Sequence, residues 1–355
     1  MGESADSVRP DIEIDVRREA VGVVAIISPW NFPTATASWK IAPALCYGNA
    51  VVWKPASAVA LTEIIAKQDI PKDLFSPVMG AGSEISRRLV ESTKINVISF
   101  TGSVPVGKGM ATSAIQNLTK VQMEMGSKNA LAVMDDADID LAVDLAASGA
   151  FGRSEQKCTA SSRLIVHASV HDEFVAATQK MKVGHALEDG TTICPVVSEQ
   201  QLNSNLRYAA LGQSEGAELI IGGTRLDMPH DGYYMQPGIF IGSTNAMVIN
   251  REEMFAPLAA VIKVDSYEEA MHTVNDTNFG LTSGIVTISL ARANHFRRNA
   301  STGCVVVNLP TAGTDYHVPF GGSGDNSYGP REQGTAAAEF YTVVKTAYIS
   351  SGKQL

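Results

Sequence analysis

Val97-Ile98-Ser99-Phe100-Thr101-Gly102-Ser103-Val104-Pro105-Val106-Gly107 is the stretch that decides how this 355-residue chain folds. Val97 to Phe100 is a short apolar run and reads as a buried strand. The run ends in a glycine turn, and Ser103 opens a helix. A strand, a glycine turn and a helix make half of a β-α-β unit. The first N–H groups of such a helix suit a dinucleotide phosphate. A Gly-x-x-x-x-Gly turn alone also occurs by chance, so the surrounding runs must agree with it.

They do agree. Val21 to Ile27 is a continuous apolar run suited to a buried parallel strand. Ala50 to Trp53 is another, ending at Lys54. A second set follows, with strands at Leu131 to Met134, Arg163 to His167, Leu219 to Gly223, Ala259 to Val264, Gly284 to Ile288 and Cys304 to Asn308. Leu141 to Phe151 reads as a helix between two of them. Apolar runs alternating with helical stretches predict α/β architecture in two parts. Ile12, Ile14 and Val16 alternate with charges, and Tyr341 to Ile349 alternates similarly. Together they predict a small sheet whose edge another subunit covers.

Composition bounds the function. Hydrophobic residues make up 45% and charged residues 18%, as in an ordinary soluble globular protein. The net charge of -9 argues against nucleic-acid binding, which needs a basic face. Cys46, Cys158, Cys194 and Cys304 are far apart and show no metal spacing, so no metal is expected. They read as thiols of a reducing compartment, hence cytoplasmic. The polar start is no signal peptide, and Val21 to Ile27 is too short to cross a membrane.

Two further stretches carry chemistry. One is Ser154-Glu155-Gln156-Lys157-Cys158-Thr159-Ala160-Ser161-Ser162-Arg163. The other is Val121-Gln122-Met123-Glu124-Met125-Gly126, whose Glu124 precedes Cys158 by 34 residues. A thiolate adds to a carbonyl, and a carboxylate moves protons. Singly, a cysteine in an apolar neighbourhood is more often a core residue. A glutamate in an apolar strand is more often a paired structural charge.

The set gains meaning from Ile27-Ser28-Pro29-Trp30-Asn31-Phe32-Pro33, Val51-Val52-Trp53-Lys54-Pro55-Ala56-Ser57 and Glu252-Glu253-Met254-Phe255-Ala256-Pro257. Pro319-Phe320-Gly321-Gly322 and Tyr328-Gly329-Pro330-Arg331-Glu332-Gln333-Gly334 extend it. In this order, from about Val8 to about Ser350, the chain resembles the aldehyde dehydrogenase superfamily. The resemblance implies a Rossmann-type cofactor domain at 21–126 with its N-terminal part missing. It implies an α/β catalytic domain at 127–310, a return segment at 311–337, and oligomerisation strands at 1–20 and 338–355. The reaction is then expected in the cleft between domains, in a homodimer or homotetramer.

The resemblance also implies roles. Cys158 is the nucleophile, and its thiohemiacetal oxyanion is held by the Asn31 amide and the Cys158 N–H. Glu124 is the general base for thioester hydrolysis. Relatives that pass the acyl group to coenzyme A lack this carboxylate, so a free acid is the expected product. For NAD or NADP, Trp30, Lys54, Ser57, Gly102, Ser103, Gly107, Glu253 and Phe255 match cofactor positions. Strongly NAD-preferring relatives carry glutamate where Ser57 stands, so Ser57 permits NADP, unless it simply caps the following helix. The similarity is greatest to α-ketoglutaric semialdehyde dehydrogenases, through Lys157 to Val166, Met181 to Gly184, Val306 to Gly313 and Tyr316 to Gly322. The substrate is then a short semialdehyde with a distant carboxylate, for which Arg153 and Ser162 are candidate partners.

Four departures from the family pattern stand out. A long segment before Val21 is absent. The stretches Ala58 to Lys67 and Phe174 to Met181 are short. Glu155 replaces a glycine, which predicts strain at a positive φ and a charge that disfavours the Cys158 thiolate. Ser323-Gly324-Asp325-Asn326 replaces a basic stretch, and Ala256 replaces a glycine. These departures keep open a second reading, an impaired relative that serves as a binding or subunit-level partner.

Overall fold

The computed structural model describes residues 2–56, 59–71, 73–177, 183–350 and 352. The chain divides into two compact units. One comprises Met1–Glu124, Asp315–Phe320 and Tyr328–Leu355. The other comprises Met125–Thr314 and Gly321–Ser327.

The first unit is built on a sheet that runs Ser327–Tyr328, Lys120–Met125, Val97–Gly102, Val23–Ile27, Ala50–Lys54, Phe75–Pro77. Val23–Ile27 lies at its middle, parallel to both neighbours. Its Val24, Ala25 and Ile26 are fully buried, as a continuous apolar run requires. Val24, Ile26 and Val97 pack against Ala37, Ile41 and Ala44 of the helix Ala35–Cys46 and against Phe340. A separate three-stranded sheet pairs Gly2–Asp6, Ile12–Ala20 and Thr342–Ser350, all antiparallel. The alternating segments at Ile12 and Tyr341 therefore meet, and Val343, Val344, Tyr348 and Ile349 remain exposed.

The second unit holds a sheet in the order Glu218–Ile221, Gly238–Ile241, Leu258–Val264, Ser161–His167, Asn129–Val133, Thr282–Val286, Cys304–Val307. Only the first pair is antiparallel. Side chains alternate between two buried faces, as the strand period demands. Leu131, Val133, Leu164 and Val166 meet the helix Ile139–Phe151 on one face. Ala130, Ala132, Ile165 and Ile285 meet the helix Tyr267–Asn275 and Phe296 on the other. Asp138 and Ser266 cap those helices by accepting from the backbone N–H groups of Leu141 and Glu269.

Several strand ends differ from expectation by a residue or two, and two of them have a visible cause. The strand predicted at Gly284 to Ile288 stops at Val286, and Ile288 is exposed. Asp136 takes the Thr287 hydroxyl and the Ser289 N–H, which turns the chain into the helix Leu290–Asn299. The strand from Leu219 ends at Ile221, because Gly222 and Gly223 adopt φ values of 67° and 73°.

Candidate active site

The cofactor candidates of the first unit cluster at strand ends. Trp30 and Asn31 follow Val23–Ile27, Lys54 closes Ala50–Lys54, and Gly102 closes Val97–Gly102. These strands are neighbours, so the residues share the carboxyl edge of one parallel sheet, where open α/β sheets take ligands. The Trp53 indole donates to Ser28 Oγ at 3.0 Å and ties two of these ends together. Ser103 is the N-cap of the helix Val104–Ala114 yet makes no side-chain cap bond. Thr101 Oγ1 is buried without a hydrogen-bond partner among the described residues. A Cβ on Gly82, at the start of the helix Gly82–Glu91, would lie 3.7 Å from Lys54 Nζ. An uncapped helix start beside an orphaned hydroxyl fits a phosphate, and the ammonium at the start of the second helix fits a ribose or phosphate oxygen. Gly107 lies elsewhere than in a turn. It is buried in the first turn of the helix, its N–H donating to Ser103 O at 3.0 Å.

Glu124 is 4% exposed in the strand Lys120–Met125. Lys40, fully buried on the helix Ala35–Cys46, faces it electrostatically. The Lys40 ammonium also bonds Ser99 Oγ at 2.9 Å and pairs closely with the Glu332 carboxylate. Ser99 in turn donates to Gln122 Oε1 at 2.9 Å. Burial lowers Lys40 to about 7, against the attraction of Glu124. The pair of Lys40 and Glu332 escaped the sequence reading. A signal existed, since Lys40 sits among Thr36, Ala37, Ile41 and Ala44 on the buried stripe of its helix.

In the second unit Cys158 follows an unusual turn. Arg153, Ser154 and Glu155 take φ values of 59°, 56° and 59°, so three successive side-chain-bearing residues are left-handed. Each costs roughly 1–2 kcal/mol. Four bonds hold the loop in place. Ser154 Oγ donates to Cys194 O, and Val197 N donates to Gln156 Oε1 at 2.9 Å. Ala256 N donates to Glu155 Oε2 at 2.7 Å. Asn129 Nδ2 donates to Cys158 O at 2.7 Å. Asn129 also was missed. Its signal is a fully buried amide at the head of an otherwise apolar strand.

Glu253 is held by the Ser127 N–H at 2.9 Å, and a Cβ on Gly126 would collide with its carboxylate. Glu253 retains some surface, yet packing around its carboxyl raises it to about 7. Lys128 is 1% exposed, and burial lowers it to about 8 against the pull of Glu155. Glu155 itself lies well above the usual carboxylate range through burial, opposed by Lys128 and by the Ala256 N–H. The positive φ expected at Glu155 is present, but its carboxyl is an internal, bonded group.

The model of the aldehyde dehydrogenase family matches residues 1–347. The chain belongs to the aldehyde dehydrogenase family. It is 41% identical over 98% of its length to an α-ketoglutaric semialdehyde dehydrogenase of Bacillus subtilis, covering 74% of that protein. It is 38% identical to a 2,5-dioxopentanoate dehydrogenase of Saccharolobus solfataricus, over 98% of this chain and 74% of the other. Among solved structures it matches the Staphylococcus aureus betaine aldehyde dehydrogenase in complex with NAD+, with a TM-score of 0.96 and 33% identity. That match covers 100% of this chain and 72% of the other.

Three further candidate residues of this aldehyde dehydrogenase lie in the second unit. Arg153 is exposed at the left-handed turn, whereas Ser162 is 3% exposed inside the strand Ser161–His167. Phe255 takes a φ of 54°, and its carbonyl accepts from Gln201 Nε2 at 3.1 Å. Ser57 lies outside the described residues. Among the described residues no group of three His, Cys, Asp or Glu could hold a metal, and no helix is long and apolar enough to cross a membrane.

Proposed function

We propose that this NAD(P)-dependent aldehyde dehydrogenase oxidises a short semialdehyde of the α-ketoglutaric type to the free acid through a Cys158 thioester. The observation that carries the reaction is the pinned loop before Cys158, in which Arg153, Ser154 and Glu155 are left-handed and the side chains of Ser154, Glu155 and Gln156 are each hydrogen-bonded. Strain retained beside a nucleophile is a mark of a positioned reactive group. The Cys158 thiolate adds to the aldehyde carbon, and the Asn31 amide and the Cys158 N–H receive the oxyanion. Trp30, Lys54, Ser57, Gly102, Ser103, Gly107, Glu253 and Phe255 would hold the dinucleotide. When bound, the dinucleotide would supply the hydride acceptor for the tetrahedral carbon. Glu124 then takes a proton from the water that attacks the thioester. The protein works as a cytoplasmic homo-oligomer.

The relatives' activities support this substrate, and the exposed Arg153 is our candidate partner for its distant carboxylate. The test is reduced-cofactor formation at 340 nm with α-ketoglutaric semialdehyde, betaine aldehyde and an uncharged aldehyde of equal length. The semialdehyde is expected to lead. Arg153→Ala should raise its KM roughly fivefold, the size of an exposed charge contact, and leave the uncharged aldehyde alone. Equal effects on both aldehydes would remove Arg153 from the substrate site. No oxidation of any aldehyde would favour an impaired, partner-type relative.

Cofactor choice gives a separate expectation. Ser57 leaves no carboxylate to repel a 2′-phosphate, and Lys54 adds a positive charge. NADP should be accepted at least as well as NAD, and Ser57→Glu should shift the ratio of Kd values towards NAD by about tenfold or more. Much tighter binding of NAD by the native chain would overturn the argument.

A further inference from the structure

Glu155 stands where the family pattern has glycine, and the reaction described above assigns it no role. Its surroundings show a built contact. The carboxyl is 4% exposed and takes the Ala256 N–H at 2.7 Å, across 101 positions of sequence. Both ends of this bond are in strained backbone. Glu155 ends the left-handed run Arg153, Ser154, Glu155, and Phe255, just before Ala256, is left-handed as well. Ala256 is buried, and its carbonyl accepts from Leu258 N at 2.6 Å, at the start of a central strand. Glu155 also interacts electrostatically with a buried lysine. Lys128 faces both Glu155 and Glu253, and its Nζ has no hydrogen-bond partner among the described residues.

We propose that Glu155 is a positioning residue whose carboxylate ties the nucleophile loop to the Phe255–Ala256 segment and thereby sets cofactor affinity. The tie compensates for the glycine it replaces. A glycine would relax the left-handed turn but leave the Ala256 N–H buried and unbonded. The bond uses the backbone N–H at position 256, which glycine and alanine share, so the departure at 155 alone creates the contact. The proposal rests on reading Glu253 and Phe255 as the nicotinamide-side residues. Held in place, Phe255 presents a preformed surface, and the cofactor need not order that segment on binding.

The experiment compares Glu155→Gln, Glu155→Ala and Glu155→Gly. Gln retains an oxygen for the Ala256 N–H, whereas Ala and Gly do not. Gly also relieves the backbone, whereas Ala keeps a Cβ at the same positive φ as the native residue. NADH Kd is read by fluorescence, with melting temperature and steady-state oxidation alongside. Ala and Gly are expected to weaken NADH about tenfold, and Gln to stay within twofold of the native chain. Gly should do so without losing melting temperature in proportion, which separates positioning from general stability. An unchanged Kd in Gly, or a Gln variant as weak as Ala, would overturn the proposal. Native protein that binds NADH and oxidises no aldehyde would sink the reaction while the Kd series still decides the tie.

Discussion

Cys158→Ala abolishes aldehyde oxidation, lowering kcat by at least about a thousandfold, and leaves NADH binding within twofold of native. The expectation follows from where Cys158 sits. Its thiol follows a turn of three left-handed residues, and its carbonyl is gripped by the buried Asn129 amide. Alanine keeps the backbone, the grip and the turn. What disappears is the sulfur that forms the covalent adduct, so no thiohemiacetal arises and no hydride is released. Stopped-flow absorbance at 340 nm and a binding titration on the same preparation make the check. A variant that keeps a tenth of native turnover would show that the chemistry does not pass through this sulfur.

Glu124→Gln separates the two halves of the reaction. Acylation needs a thiolate and an oxyanion site, whereas deacylation needs a water relieved of its proton. Gln keeps the shape of Glu124 in its buried strand but accepts no proton. A first turnover of about one reduced cofactor per subunit should therefore persist. Steady-state turnover should fall by roughly a hundredfold or more, the usual scale of a lost general base. Mass spectrometry of the quenched enzyme should show the acyl adduct on the Cys158 peptide. Equal loss of burst and steady state would make Glu124 a structural charge, held for its contact with Lys40.

The sequence was read well where structure depends on neighbours along the chain. Val97 to Gly102 is a buried strand, and Ser103 begins the helix that follows. Alternation at Ile12 and at Tyr341 marked two strands that do pair. Such signals survive because strand and helix periods are written into a few consecutive residues. The exceptions are instructive. Ile288 belongs to no strand because Asp136, from another loop, bends the chain there. Gly107 carries a motif spacing, yet helix formation from Ser103 claims it before any turn can form.

By itself the sequence determined the α/β class and the family, and it singled out Cys158, Glu124 and Asn31 as the candidates for the chemistry. Each rests on residue type and order, which the linear chain displays directly. Only the tertiary structure decided how buried charges are matched. Lys40 meets Glu332 across 292 positions, and Glu155 reaches Ala256 across 101. The sequence lists these charges without pairing them. The charge at Glu155 read as a liability beside the thiol. Folded, that carboxyl is buried and bonded, because a buried polar group persists only where packing brings it a partner.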